Sequence, residues 1–139
     1  MKVKFLVTTD VHGNIFPSNY SSKDNIESYG LSRISIAIQE YRKNEDIILL
    51  DNGDSFQGTP LLAYAHQNSD RFENPTATAF NYLNYDYINL GNHDFNYGPH
   101  ILKKFIKENK AEILTSNITI DKKKVGETKI IERNGKKIA

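Results

Sequence analysis

Three short polar segments of the chain carry side chains of the types that bind divalent metal ions. They are Asp10–His12, Gly53–Asp54 and Gly91–Asp94. Each segment follows a short apolar run of the kind that forms a buried strand. In open α/β sheets, ligands bind beyond the carboxyl ends of the strands, so we expect the three segments to converge on one site. Alternate residues of an extended segment point the same way, so we also expect Asp10 and His12 to bind a single ion.

The composition limits the chemistry of such a site. The chain has 139 residues and no cysteine, which excludes disulfides, thiolate metal ligands and a cysteine nucleophile. The remaining donors are carboxylate, imidazole and amide oxygen, which suit Mn, Fe or Zn better than Ca or a structural zinc. A single Asp-x-His or Gly-Asp pair is common by chance, but three such loops in order indicate a metal site.

The hydrophobic pattern predicts strands that alternate with helices. The predicted strands are Lys2–Thr8, Ile47–Leu50, Tyr87–Leu90 and Ile113–Ser116, and Thr128–Arg133 begins a hairpin. The predicted helices are Gly30–Asn44, Pro60–His66 and Pro75–Leu83, with a fourth around residues 101–106. This alternation predicts an α/β protein with a layered α/β/α arrangement and a mainly parallel sheet. We expect the polar stretch Ser18–Ser28 to be a surface loop near the site, and the return strand after Asn134-Gly135 to be too short to pair stably.

Length and charge indicate one domain or part of one, without a nucleic-acid polymer or a membrane as partner. The 18 Lys and Arg residues against 17 Asp and Glu give a formal net charge of +1, which favours neither partner. The longest apolar runs are too short to span a bilayer, and the first residues lack the apolar region of a signal peptide. These features predict a cytoplasmic protein, or a periplasmic, cell-wall or secreted one from which a signal peptide was removed.

The three segments and their neighbours form the longer motifs TTDVHGN, DNGDSFQGTPL and LGNHDFNYG. In their order and their placement at strand ends, these motifs resemble the first three signature blocks of the calcineurin-like metallophosphoesterase superfamily. More narrowly, they are similar to the 5'-nucleotidase and 2',3'-cyclic-nucleotide 2'-phosphodiesterase family. The resemblance covers residues 1–139 and implies the N-terminal part of a metallophosphoesterase catalytic domain, without the later ligand blocks and the nucleotide-binding domain.

The resemblance implies roles for individual residues. Asp10 and His12 would bind the first of two divalent ions, Asp54 would bridge both ions, and Asn92 would bind the second ion through its amide oxygen. The ions would be Mn, Zn, Fe or Mg and would activate a hydroxide for attack on phosphorus. His93 would face the phosphate as general acid or as a stabiliser of the transition state.

Three further residues are expected to support the site. Asn96 lies three residues after His93, where 5'-nucleotidases usually carry an aspartate. An amide can orient His93 but cannot stabilise its imidazolium as a carboxylate would. The sequences FNYG, DNGD and QGTPL resemble the cyclic-phosphodiesterase branch of the family. Asp51 and Asp94 flank the ligands and are candidates for orienting them through hydrogen bonds.

The function implied by the resemblance is hydrolysis of nucleotide phosphoesters, by a 2',3'-cyclic-nucleotide 2'-phosphodiesterase or nucleotidase. Two alternatives stay open, namely a 5'-nucleotidase acting on nucleoside monophosphates and a catalytically silent, truncated binding module. The family completes its metal site with later histidines, including a Gly-His-x-His block, whereas only His100 follows His93 here. We therefore expect the 139 residues alone to have little or no hydrolase activity and to need the missing C-terminal part of the same protein.

Overall fold

A parallel four-stranded sheet forms the centre of the molecule. The computed structural model describes residues 3–22, 24 and 26–139, so Lys2 of the first predicted strand and two residues of the predicted loop, Lys23 and Asn25, lie outside the described residues. The strands lie side by side in chain order: β1 (Lys4–Thr8), β2 (Ile47–Asp51), β3 (Tyr87–Ile88) and β4 (Glu112–Ile113). The helices are α1 (Leu31–Asn44), α2 (Pro60–Gln67), α3 (Pro75–Leu83) and α4 (Gly98–Glu108). The predicted α/β class with a parallel sheet is confirmed.

Two helices begin at the prolines that predicted them. Pro60 and Pro75 each occupy the first turn, where a helix N–H has no partner and proline therefore loses nothing. The residues before them, Thr59 and Asn74, cap the helices with their side chains. Asn74 Oδ1, for example, accepts the backbone N–H of Thr76 at 2.9 Å. These local signals fix where α2 and α3 start.

The strands differ from prediction at their carboxyl ends. β3 ends at Ile88 rather than Leu90, because the Leu90 N–H donates to the Thr115 hydroxyl at 2.9 Å instead of to a neighbouring strand. β4 begins at Glu112 and is shorter than the predicted strand 113–116. The chain thus leaves the sheet earlier than its apolar runs indicate, and the residues beyond the strand ends become available for the site.

Two hairpins follow the sheet. β5 (Thr119–Ile120) pairs with β6 (Lys123–Lys124), a hairpin that the sequence did not predict. β7 (Ile131–Arg133) pairs with β8 (Lys136–Ile138) through three residue pairs, so the expectation of an unpaired return strand is wrong. The reason lies in the turn, where Asn134 and Gly135 both have positive φ, at 58° and 73°, and so join the strands within two residues.

The helices pack together on the sheet around an aromatic core. Buried residues of all four helices belong to one hydrophobic cluster that includes Leu49 and Ile88 of the sheet. Within this cluster the rings of Phe56 and Phe105 stack with their centroids 4.2 Å apart. No helix in the described part of the chain is long and apolar enough to cross a membrane.

Replacing Phe80 by alanine tests this core. The side chain is 0% exposed and its ring lies 4.2 Å from that of Tyr85, so Phe80→Ala should lower the free energy of unfolding by about 3–5 kcal/mol. Tyr82 lies on the same helix but is 77% exposed, so Tyr82→Ala should change the free energy of unfolding by less than about 0.5 kcal/mol. Urea denaturation followed by circular dichroism measures both variants, and equal losses would contradict the assigned core.

Candidate metal centre

Hydrogen bonds between two loops continue the pairing of β1 and β2 beyond the sheet. The backbone N–H of Asp10 donates to the carbonyl of Gly53 at 3.0 Å, and the N–H of His12 donates to the carbonyl of Asp54 at 2.9 Å. These two bonds hold the loop after β1 directly beside the loop after β2. The side chains of both loops therefore share one end of the sheet.

Three of the residues predicted as metal ligands come together at this end. One ligand atom from each of Asp10, His12 and Asp54 lies within 4.8 Å of the others. His12 Nε2 and Asp10 Oδ1 are 3.8 Å apart, which is too far for a hydrogen bond. Two ligand atoms at about 2.0–2.2 Å from a shared ion are at most about 4.4 Å apart, so this separation fits joint coordination.

The second polar atom of two of these ligands is already hydrogen-bonded. His12 Nδ1 lies 3.0 Å from the carbonyl oxygen of Gln57, which places the ring proton on Nδ1 and leaves the Nε2 lone pair for an ion. Asp10 Oδ2 accepts the hydroxyl of Thr9 at 2.5 Å, which leaves Oδ1. Sequence reasoning missed both Gln57 and Thr9, and no local signal marks a backbone carbonyl as the partner of a distant histidine.

Asp10 and His12 do not lie on an extended segment, so the prediction that alternation along a strand brings them together is wrong. Their segment is not extended, because φ is 53° at Asp10 and 48° at His12, and Asp54 also has a positive φ of 56°. Non-glycine residues rarely adopt this left-handed conformation, although Asp and His adopt it more often than most. The interloop hydrogen bonds hold all three predicted ligands in this conformation, and backbone strain of this kind concentrates at functional sites.

His93 lies beside the ligands and contacts Asn96. Its backbone N–H donates to Asp54 Oδ1 at 2.7 Å, and its ring centroid is 5.4 Å from that of His12. Asn96 Nδ2 lies 3.0 Å from His93 Nδ1. An amide N–H can only donate, so Nδ1 is the acceptor and the proton of a neutral His93 ring lies on Nε2. The two residues predicted as catalytic are thus in direct contact.

Asn92 occupies a more peripheral position. It is exposed and precedes the short 3-10 helix His93–Phe95, which its side chain does not cap. Asn92 is linked to the ligand group through its neighbour His93, whose backbone contacts Asp54. Its role as a ligand stays a prediction.

Asp94 joins the loop after β2 to the loop after β3. Its carboxylate is 1% exposed and accepts the backbone N–H groups of Asp54, Ser55 and Gly91 at 2.8–2.9 Å, and that of Phe56 at 3.3 Å. Burial raises the pKa of Asp94, and these hydrogen bonds oppose the rise. These bonds tie the backbone of Asp54 to the loop after β3, and the role of Asp94 in orienting the ligands stays a prediction.

Asp51 is a second buried carboxylate under the same loop. It accepts the Thr8 hydroxyl at 2.6 Å, the Gly53 N–H at 3.0 Å and the Ser55 hydroxyl. Burial raises the pKa of Asp51 to about 6, hydrogen bonds from these three residues lower it, and the charge of Asp94 raises it. Asp51 is thus bonded to the loop that carries Asp54, and its role in orienting the ligands stays a prediction.

Gly53 and Gly91 allow the two loops to touch. A Cβ atom on Gly53 would lie 2.2 Å from the backbone nitrogen of Gly91. A Cβ atom on Gly91 would lie 2.2 Å from Asp54 Oδ1. Neither distance is possible for a real side chain, so the position of Asp54 depends on glycine at both sites.

Comparisons with known proteins bear on this site. The family model of the calcineurin-like phosphoesterases matches residues 3–137. The trifunctional nucleotide phosphoesterase YfkN of Bacillus subtilis is 37% identical over 123 residues, covering 84% of this chain and 8% of that protein. A 2',3'-cyclic-nucleotide 2'-phosphodiesterase/3'-nucleotidase of Haemophilus influenzae is 34% identical over 119 residues, covering 84% of this chain and 18% of that protein. The human 5'-nucleotidase is 30% identical over 123 residues, covering 84% of this chain and 20% of that protein.

The crystal structure of Bacillus subtilis YfkN, a calcineurin-like phosphoesterase, matches the fold. It superposes with a TM-score of 0.78 at 33% identity, covering 96% of this chain and 44% of that one. This likeness confirms the metallophosphoesterase fold expected from the sequence. The chain spans a fifth or less of the length of the three curated relatives.

The contact between Gly91 and Asp54 predicts the effect of one added methyl group. Gly91→Ala should weaken Mn²⁺ binding by about tenfold or more, because its Cβ displaces a ligand carboxylate. Gly135→Ala is the control, since a Cβ there meets no atom within 4 Å while φ is +73°, so it should cost stability but leave Mn²⁺ affinity unchanged. Calorimetric titration measures both, and unchanged affinity in Gly91→Ala would contradict the proposed placement of Asp54.

The raised pKa of Asp51 predicts a dependence of stability on pH. The folded protein holds the proton of the Asp51 carboxyl more tightly than the unfolded chain does. The contribution of this group to the free energy of unfolding is therefore fully present below about pH 4 and is lost as the pH rises through about 6. Between pH 7 and pH 4 the wild type should therefore gain about 2–3 kcal/mol relative to Asp51→Asn, which has no titrating group. Urea denaturation at several pH values measures this difference, and parallel pH profiles would contradict it.

Proposed function

Because the chain belongs to the calcineurin-like phosphoesterase family, we propose that it supplies part of the active site of a metal-dependent hydrolase of nucleotide phosphoesters. The observation that carries the proposal is the convergence of Asp10, His12 and Asp54, whose ligand atoms lie within 4.8 Å of one another. Two carboxylates and an imidazole without a thiolate suit Mn, Zn, Fe or Mg.

In this proposal Asp10, His12 and Asp54 would hold the first of two divalent ions, and Asp54 and Asn92 would hold the second. Divalent ions bound there supply Lewis-acid polarisation of the phosphoryl group and a hydroxide nucleophile near neutral pH. The 139 residues offer too few ligands for the second ion, because the only later histidine, His100, is exposed on α4. We propose that the remaining ligands come from polypeptide outside these residues, in line with the small share of its relatives that the chain spans.

His93 is the proposed general acid. When the bond between phosphorus and the ribose oxygen breaks, the departing alkoxide needs a proton, and the imidazolium form of His93 would supply it from Nε2 and be left as the neutral ring. Asn96, whose Nδ2 lies 3.0 Å from His93 Nδ1, would hold the ring in the orientation that directs Nε2 at this oxygen. An amide can orient the ring but cannot stabilise an imidazolium as a carboxylate would.

The proposed substrate class is the nucleoside 2',3'-cyclic phosphates. Water adds across the phosphodiester, the bond from phosphorus to the 2' oxygen breaks, and that oxygen takes the proton. Asn96 supports this choice, as do the two relatives named as a trifunctional nucleotide phosphoesterase and a cyclic phosphodiesterase, at 37% and 34% identity. The alternative is a 5'-nucleotidase acting on nucleoside monophosphates, supported by the human relative at 30% identity.

Hydrolysis by the natural gene product tests the proposal. With Mn²⁺ it should hydrolyse 2',3'-cyclic AMP with a higher kcat/KM than AMP, and a chelator should abolish this turnover until Mn²⁺ is restored. Asp54→Asn should lower kcat by about a thousandfold, because several kcal/mol of charge stabilisation are lost with the ion. Asp70→Asn makes the same charge change at an exposed residue and should leave kcat unchanged.

Each other outcome identifies a different function. A preference for AMP would favour the 5'-nucleotidase. Absence of turnover with Mn, Zn, Fe and Mg alike would favour a catalytically silent binding module. The 139-residue chain alone should show little or no hydrolysis, and hydrolysis at the full rate would contradict the proposal that ligands from outside these residues are needed.

A further inference from the structure

A buried histidine lies outside the group of proposed ligands. His66 is the last buried residue of α2 and is only 9% exposed. Its Nε2 lies 3.2 Å from Asn74 Nδ2. Because Asn74 Oδ1 already caps α3, the amide nitrogen must be the group that faces His66, so Nε2 accepts and the ring proton lies on Nδ1.

This Nδ1–H is a costly feature of the core. It is buried and has no hydrogen-bond partner among the residues that the structure describes. Burial lowers the pKa of His66 to about 4, so the ring is neutral near pH 7. It then carries a single proton, the one on Nδ1. An unsatisfied buried donor costs about 1–3 kcal/mol, and a purely apolar side chain would avoid that cost.

The ring of His66 packs between two segments of the proposed active site. Its centroid lies 4.2 Å from the Tyr97 ring at an interplanar angle of 65°, and 5.9 Å from the Phe56 ring at 87°. Tyr97 directly follows Asn96, and Phe56 donates its backbone N–H to Asp94. His66 thus touches the residue that follows Asn96 and the loop that follows Asp54.

We propose that His66 is a positioning residue for His93, acting through the edge-to-face contact of its ring with Tyr97. The contact fixes Tyr97, and with it the turn that holds Asn96 Nδ2 at 3.0 Å from His93 Nδ1. The proposal rests on the proposed function, since it concerns the proton that His93 gives to the leaving oxygen. It adds a requirement for an aromatic ring at position 66, far from the reacting atoms in the sequence.

Two substitutions separate the ring from its hydrogen bond. His66→Gln keeps an acceptor for Asn74 but removes the ring. His66→Phe keeps a ring against Tyr97 but leaves the Asn74 amide without its acceptor. If the ring positions His93, His66→Gln should impair proton donation by His93. His66→Phe should lower the stability of the protein without impairing that donation.

Two substrates distinguish positioning from a general loss of structure. 2',3'-cyclic AMP has an alkoxide leaving group that needs a proton, whereas bis-p-nitrophenyl phosphate has a leaving group that departs without one. In the natural gene product with Mn²⁺, His66→Gln should lower kcat on 2',3'-cyclic AMP by about tenfold or more, with less than about threefold loss on the nitrophenyl ester and unchanged KM. His66→Phe should lower neither rate by more than about threefold.

A second measurement does not depend on turnover. The ¹⁵N chemical shifts of the His93 ring report which nitrogen carries the proton, and His66→Gln should reduce the Nε2–H form while His66→Phe retains it. Equal losses on both substrates in His66→Gln, or an unchanged His93 tautomer, would overturn the proposal. If the wild type hydrolysed neither substrate, the proposed function would fail, and the ¹⁵N measurement would still decide the role of His66.

Discussion

The candidate site depends on the buried carboxylate of Asp94. A buried carboxylate is unfavourable unless hydrogen bonds satisfy it, and here backbone N–H groups of two separate loops do so. The same bonds turn the N–H groups of Asp54 and Ser55 inward and draw Gly91 against them. Because Gly53 and Gly91 carry no Cβ, the loops can approach until a side chain would no longer fit between them. The position of Asp54 follows from this closure.

The distribution of hydrogen-bond donors makes the candidate site suitable for a cation. Asp51 and Asp94 take up the neighbouring N–H and hydroxyl donors. Among the described residues, the side chains of Asp10 and Asp54 accept one short bond each, from Thr9 and from the backbone of His93. None of the ion pairs that Lys or Arg forms among the described residues includes Asp10 or Asp54. Two adjacent carboxylates without a Lys or Arg partner repel each other, and a bound divalent ion would remove that repulsion.

Much of the fold and the grouping of the site residues could be predicted, because these features have local signals. Pro60 and Pro75 mark helix starts in the sequence itself, and apolar runs mark the strands that end at the site. The left-handed backbone at Asp10 and His12 could not be predicted, because it is imposed by hydrogen bonds to a loop about forty residues away. The contact of His12 with the Gln57 carbonyl is non-local in the same sense.

The geometry of the candidate site depends on the packing of the core, because core rings contact the loops that carry the site residues. The Phe56 backbone donates to Asp94, while its ring stacks on Phe105 in α4 and meets His66 edge-on. α4 in turn begins directly after Tyr97, so the core, the loop after β2 and the turn containing His93 form a closed path of contacts. Interiors packed at this density do not deform freely, so a displaced core ring displaces the ligands as well. The fold therefore holds Asp10, His12 and Asp54 in place, which would reduce the reorganisation that the binding of an ion requires.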